Sequence, residues 1–189
     1  MSSSGPRTTS PAPPIPGPSS AESPSFRISS TPRPLTEPRL THVALPCSDL
    51  DRTIDFYTSL TPLVVIARNE DEGGRGAWLS NDRQARDPFV LVLAELAPGV
   101  ATGFGHEPGK PVPILRPFAH IGIEMPRRED VDAVAARARE LGCLHWEPRQ
   151  GPEHIGYICA VQDPDGNVVE FSHDQKVFAT VRRLWGEGD

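Results

Sequence analysis

The sequence of 189 residues contains little cysteine, no long apolar run and no cluster of basic residues. Its three cysteines, Cys47, Cys143 and Cys159, form no CxxC pair, which argues against a disulfide framework and against a thiolate zinc site. Reduced thiols are typical of a cytoplasmic protein. No stretch reaches the roughly 18 consecutive apolar residues of a membrane span. The net charge of −6 argues against nucleic acid as a partner.

Core-forming residues are also scarce in the first 38 positions, which hold 10 of the 22 prolines together with many Ser and Thr residues. Such a segment cannot bury enough apolar surface to offset its ordering entropy, so we expect a disordered arm over residues 1–38. The arm has no charged start followed by an apolar run and is not predicted to be a secretory signal. The rest of the sequence predicts one domain over residues 39–176 and a tail over residues 177–189, with a helix from Val177 to Trp185.

A repeated phrase marks two halves of this domain. The segment LTHVAL (residues 40–45) returns 78 positions later as FAHIGI (residues 118–123), each with a histidine at its third place. The second half ends in DPDGNVVEF (residues 163–171), a tight turn that leads into a strand carrying Glu170. Two imidazoles, His42 and His120, and one carboxylate, each on a predicted strand, form a metal-site hypothesis.

Each half predicts a strand, a helix and three further strands, in modules over residues 39–97 and 117–175. Ser48 and Asp51 have the spacing of a capping box at the start of the first helix. The second helix is predicted from Glu129 to Leu141, with Gly142 as its stop. The strands predicted behind the helices are residues 63–68, 76–79 and 89–96 in the first half and residues 144–147, 157–162 and 167–172 in the second. We therefore expect an α+β fold, in which two βαβββ modules form a cupped, partly closed mixed β-sheet with flanking helices and a ligand site on its concave side.

On these features the sequence resembles the vicinal oxygen chelate superfamily, which includes glyoxalase I, extradiol dioxygenases, fosfomycin-resistance transferases, methylmalonyl-CoA epimerase and bleomycin-resistance proteins. The resemblance covers about residues 39 to 175 and rests on the doubled element order and on the phrases Asp49 to Tyr57 and Asp163 to Phe171. It implies a divalent ion (Fe²⁺, Mn²⁺, Zn²⁺ or Ni²⁺) held by His42, His120 and Glu170. The implied activity is that of a metal-dependent dioxygenase or of a lyase or isomerase, on a small substrate that chelates the ion through vicinal oxygens.

Glyoxalase-type and epimerase-type members hold a fourth protein ligand on the last strand of the first half, where this sequence has Val90 to Leu93. Glu95 lies a few residues further on and is the alternative fourth ligand, although strand alternation could place it on the other face. Without a fourth carboxylate an isomerase lacks its usual proton-shuttling base, which favours an oxygenase or another open-site reaction. Addition of a thiol to an epoxide is disfavoured, because Glu147 stands near the place where fosfomycin enzymes have a phosphonate-binding Lys.

Other interpretations stay open at several residues. A single His at the start of a strand is more often a surface residue than a ligand, but the equivalent His120 favours a ligand role for His42. Alternation gives Glu170 a second interpretation, as an exposed residue on an outer face. Four histidines have no counterpart in the repeat and are expected at the surface: His106, His145, His154 and His173. Of these, His154 borders the expected cup together with Tyr157, and we assign this pair as candidate catalytic acid/base residues.

A metal-free protein that sequesters a small molecule, as in bleomycin resistance, is the rival functional class. Retention of all three ligand residues argues against it, because a binding protein needs none of them. A homodimer is an open alternative to a single chain. In a swapped dimer, His42 of one subunit would join His120 and Glu170 of the other.

Overall fold

Two βαβββ modules follow one another along the chain, in the order predicted from the sequence. The structure, a computed structural model, describes residues 40–81, 89–116 and 118–184, so the arm predicted over residues 1–38 lies outside the described residues. The elements of the first module are β1 (His42–Pro46), α1 (Leu50–Leu60), β2 (Val64–Asp71), β3 (Gly74–Ser80) and β4 (Val90–Leu96). Those of the second are β5 (His120–Glu124), α3 (Arg128–Leu141), β6 (Leu144–Gln150), β7 (Tyr157–Gln162) and β8 (Val168–His173). The remaining helices are α2 (Pro98–Gly103) and α4 (Val177–Leu184).

The helix boundaries follow local capping chemistry. The N-cap of α1 is Asp49, whose Oδ1 accepts from the backbone N–H of Arg52 at 3.0 Å. The prediction of Ser48 as the cap is therefore wrong by one residue, because the Asp49 carboxylate is the side chain that accepts from the first turn. The backbone N–H of Ser48 donates to Asp165. At the other end, α3 stops at Gly142, which adopts a left-handed φ of 69° as predicted.

The connection between the modules contains α2, which the sequence did not predict within its Gly/Pro-rich linker. Pro98 opens this helix, where its missing N–H leaves no hydrogen bond unmade. The tail helix α4 begins at Val177 as predicted, while Trp185 lies outside the described residues. Among the helices in the described ranges, none combines the length and the apolar character required to cross a membrane.

The strands form two separate four-stranded sheets, in the orders β1-β4-β3-β2 and β5-β8-β7-β6. In each sheet the first strand of the module pairs in parallel with the last, and the other pairs are antiparallel. The α+β class and the flanking helices are thus confirmed. The single cupped sheet is not, because β1 and β5 are each an edge strand and no ladder joins them in the described part of the chain.

One face of each sheet packs against the helix of its own module. Helix α1 lies against β4 and β3, and α3 lies against β6, β7 and β8. Leu91 and Leu93 of β4 and Val169 and Phe171 of β8 belong to the buried core. Because side chains alternate along a strand, the residues between them lie on the opposite face. We call this opposite face, which is turned away from α1 or α3, the open face. It is the face that carries the predicted ligands.

A buried polar turn joins the two modules. The turn from Asp163 to Asn167 lies against the N-terminal end of α1. The N–H of Ser48, just before this helix, donates to Asp165 Oδ1 at 2.9 Å. The hydroxyl of Tyr57 donates to Asp163 Oδ2 at 3.1 Å. All three polar residues of the turn, Asp163, Asp165 and Asn167, are buried. Burial and the neighbouring Asp163 hold the pKa of Tyr57 well above its ordinary value, so its hydroxyl stays neutral and donates.

Candidate metal centre

His120 and Glu170 lie together on the open face of the second sheet. Gly122 is the partner of Glu170 in the parallel β5–β8 ladder, and His120 stands two residues before Gly122 on the same face. The ring Nε2 of His120 is 3.9 Å from Glu170 Oε2. His120 and Glu170 are 50 residues apart in sequence, and the parallel pairing of β5 with β8 makes their side chains neighbours.

The tautomer of His120 follows from its other nitrogen. Nδ1 lies 2.7 Å from the backbone carbonyl oxygen of Phe118, which can only accept, so Nδ1 carries the proton. In the neutral ring Nε2 then carries the lone pair, and Nε2 is the atom beside Glu170. Histidines that bind metal in proteins are usually held in this way, by a hydrogen bond from the nitrogen that does not bind the ion.

Glu170 is largely shielded from solvent, with a side chain that is 7% exposed. This excludes the alternative interpretation of an exposed residue on an outer face. Its Oε1 accepts from the Gln175 amide at 3.3 Å, so the carboxylate has an amide on one side and the His120 ring on the other. A buried carboxylate is unfavourable unless it is paired or coordinates a metal, and a cation between Oε2 and Nε2 would remove that penalty.

The first sheet repeats this register with one substitution. His42 pairs with Val90, and Ala44 pairs with Val92, just as His120 pairs with Val168 and Gly122 with Glu170. Val92 therefore occupies the place in the first module that Glu170 occupies in the second. A fourth carboxylate ligand would be expected at this place, and the chain has Val92 there.

His42 is exposed at the start of β1, with its Nδ1 2.8 Å from the Thr41 hydroxyl. Within the described ranges, no three His, Cys, Asp or Glu side chains come close enough together to hold one ion. One chain thus brings His120 and Glu170 together but does not bring His42 to them. The two modules meet through α1 and the Asp163–Asn167 turn, which leaves β1 and β5 unpaired with one another.

Glu95 lies on the helix side of β4, so the alternative fourth ligand is not supported. It stands three residues after Val92, and this odd spacing turns it to the other face. Its Oε2 accepts from the N–H of Leu50 at 2.7 Å and from Arg75 at 2.6 Å. Glu95 therefore stabilises the N-terminus of α1.

Changing Glu95 to Gln should lower the free energy of unfolding by about 1 kcal/mol, because the first turn of α1 loses a negative charge beside its free N–H groups. Metal content should not change. Thermal unfolding and elemental analysis of the same preparation check both statements. A loss of bound metal at unchanged stability would mean that Glu95 is a ligand after all.

Tyr157 also faces the helix and not the open face. It is three residues from Ala160, the cross-strand partner of Glu170, and its hydroxyl donates to Asp132 on α3 at 2.7 Å. The hydrogen bond to Asp132 is the main cause of the raised pKa of Tyr157. The acid/base role predicted for Tyr157 is thus not supported, and His154 lies exposed in the loop before β7.

Sequence reasoning missed Gln175 and placed His106 and His173 at the surface. Gln175, which contacts Glu170, follows the last strand and belongs to no repeated or periodic pattern. His106 was expected at the surface, but its Nδ1 is shielded from solvent and makes no hydrogen bond within the described residues. His173 is half-buried, with Nδ1 3.2 Å from the Met125 carbonyl oxygen.

Comparisons with known proteins agree with this architecture. A family model described as the Glyoxalase/Bleomycin resistance protein/Dioxygenase superfamily matches residues 39–171. An uncharacterized protein of Pseudomonas aeruginosa is 37% identical over 139 residues, which are 73% of this chain and 90% of that protein. The trypanothione-dependent glyoxalase I of Leishmania major has a TM-score of 0.54 at 20% identity, over 80% of this chain and 100% of that one. An antibiotic binding protein from Streptomyces sp. CB03234 has a TM-score of 0.51 at 24% identity, over 74% and 98% of the two chains.

These two structures share the fold, and the family model covers most of the chain, including both repeated phrases and Glu170. The resemblance drawn from the sequence is confirmed. The chain belongs to the glyoxalase/bleomycin resistance protein/dioxygenase superfamily.

Proposed function

We propose that this protein is a metal-dependent enzyme that acts on a small molecule with two adjacent oxygens, and that His42, His120 and Glu170 hold the ion. The observation that carries the proposal is the pair formed by His120 Nε2 and Glu170 Oε2, 3.9 Å apart on the open face. Both atoms carry lone pairs for an ion when the His120 ring is neutral and Glu170 is ionised. Two imidazoles and one carboxylate suit Fe²⁺, Mn²⁺, Zn²⁺ or Ni²⁺.

We infer that the third ligand comes from a second copy of the chain. His42 occupies the same place in the first module as His120 in the second, yet the two lie apart within one chain. The open face around His42 is apolar and exposed: Trp78 is 49% exposed, and the neighbouring β2 residues Val64 and Ile66 are also exposed. In a twofold dimer, the first sheet of each copy would place His42 beside the His120–Glu170 pair of its partner and form two identical sites.

The side chains have different roles within such a site. The two histidines and Glu170 would bind the ion, which would act as a Lewis acid towards the substrate oxygens. Val92 supplies no donor at the fourth place, so coordination positions stay free for a bidentate substrate. No carboxylate stands at Val92 to carry a proton between substrate carbons. This arrangement favours a dioxygenase-like reaction over a glyoxalase-like one.

Metal content tests the proposal directly. Protein purified without chelator should contain close to one divalent ion per chain, and His120→Ala or Glu170→Ala should lower the affinity at least tenfold. His145→Ala is the matched control, because His145 is an exposed histidine on β6 of the same sheet. Equal metal content in all these proteins would contradict the proposed ligand set.

A metal-free binding function is the second candidate, and a cavity favours it. A space of about 710 Å³ lies between β1 and β5 and is lined mainly by apolar side chains, among them Val43, Leu91, Ile121 and Met125. Neither His120 nor Glu170 lines it. Saturable binding of an apolar small molecule by metal-free protein, unchanged in Glu170→Ala, would favour this candidate over the enzyme.

A further inference from the structure

Gln175 is the residue in contact with Glu170 that no sequence pattern indicated. Its side-chain amide makes two hydrogen bonds, both on the open face of the second sheet. The NH₂ group donates to Glu170 Oε1 at 3.3 Å, and the carbonyl oxygen accepts from the Ser172 hydroxyl at 3.2 Å. Ser172 is fully buried two residues after Glu170. Because a carboxylate oxygen only accepts, the NH₂ end of the Gln175 amide faces Glu170 and its oxygen faces Ser172.

The backbone around Gln175 is held in an unusual conformation. Asp174 and Lys176, the residues on either side of it, have φ angles of 62° and 60°. Non-glycine residues rarely adopt this left-handed region, and they keep it only where surrounding contacts enforce it. Such strain next to a candidate site indicates that the position of the segment from Asp174 to Lys176 is important for the site.

Two contacts enforce this conformation. The N–H of Lys176 donates to Glu124 Oε1 at 3.2 Å, which fastens the segment to the end of β5. On the other side, the segment lies directly against Gly156, where an added Cβ would be 2.3 Å from the carbonyl oxygen of His173 and 3.0 Å from the nitrogen of Gln175. Only glycine leaves room for this approach.

We propose that Gln175 is a positioning residue for Glu170, which holds Oε1 so that Oε2 alone is offered to the ion beside His120. A carboxylate with two free oxygens can chelate an ion with both, which would occupy a further coordination position. With Oε1 engaged by an amide, Glu170 binds through one oxygen, and the position saved stays open to the substrate. This inference rests on the proposed metal-dependent function.

Titration with Co²⁺ tests the inference through affinity and through the visible spectrum of the bound ion. Gln175→Ala should weaken Co²⁺ binding about 10- to 100-fold, as for other residues that orient a metal ligand. It should also change the visible absorption bands, because the coordination of Glu170 changes. Gln150→Ala is the matched control, since the Gln150 amide donates to the carbonyl oxygen of the adjacent Gly151 and has no other hydrogen bond within residues 40–81, 89–116 and 118–184. A Gln175→Ala protein with unchanged affinity and spectrum would overturn the inference while the metal site stands.

A second measurement needs no metal. In the presence of chelator, the unfolding temperature is compared among wild type, Gln175→Ala, Glu170→Ala and the double variant. If the amide holds the carboxylate, the shift of the double variant differs from the sum of the two single shifts. Strictly additive shifts would show that the two side chains do not interact and would overturn the inference. Absence of Co²⁺ binding by wild type, with non-additive shifts, would instead contradict the proposed function and leave the contact intact.

Discussion

A heterodimer of His42→Ala and Glu170→Ala chains should bind about one ion, although each variant alone binds almost none. The reason is the separation of His42 from the His120–Glu170 pair within one chain. If each site takes His42 from one copy and the pair from the other, one of the two sites in this heterodimer contains both changes and the other contains neither. Two different affinity tags on co-expressed chains allow the heterodimer to be purified, and elemental analysis gives its metal content.

The reciprocal heterodimer is the control. When both changes are placed in one chain and the partner is wild type, every shared site carries one change, and no ion should bind. A site within a single chain gives the opposite pair of results, with no ion in the first heterodimer and about one in the second. A protein that is monomeric at all concentrations and still binds metal would also contradict the shared site.

Replacing Asp163 with Ala should destabilise the protein by about 4 kcal/mol, the largest effect that we expect outside the metal site. Asp163 Oδ1 accepts from the N–H groups of Asp165 and Asn167, and Oδ2 accepts from the Asn167 amide and the Tyr57 hydroxyl. The substitution leaves all four donors without an acceptor at a buried junction. For a chain of this size the unfolding temperature should fall by about 10 °C.

Two milder variants show why the carboxylate is needed. Asn at position 163 keeps the shape but turns an NH₂ group towards the amide of Asn167. That amide cannot reverse, because its oxygen already accepts from the N–H groups of Ile114 and Leu115. Asp163→Asn should therefore lower stability by about 2 kcal/mol, and Tyr57→Phe, which removes one donor, by about 1 kcal/mol. If Asp163→Ala unfolds no more easily than Tyr57→Phe, the turn does not hold the modules together.

The sequence was sufficient for features that depend on local period and repetition. The run from Tyr157 to Gln162 is a strand with the predicted ends, and α3 stops at the predicted Gly142. The repeated phrases predicted equivalent places for His42 and His120, and the two ladders have the same register. From that register alone, Val92 is placed where the second module has Glu170.

Features that depend on contacts distant in sequence could not be predicted in this way. Asp49 and Ser48 are both good N-cap residues, and the choice between them depends on Asp165, far along the chain. Tyr157 belongs to a strand that is buried on both faces, so alternation of polar and apolar residues did not indicate which face its hydroxyl occupies. The separation of His42 from its expected partners depends on how whole modules pack, which no local pattern encodes.

The junction between the modules also has a kinetic consequence. The hydrogen bond from Ser48 to Asp165 joins residues 117 positions apart, whereas each helix and each antiparallel ladder closes within its own module. Contacts between distant residues form late in folding, because the entropy of closing a long loop must first be overcome. We therefore expect each module to fold early and docking at the turn to be the slow step. During that interval a module can dock with its counterpart in a second nascent chain as readily as with its own, so protein concentration during folding would influence how the chains assemble.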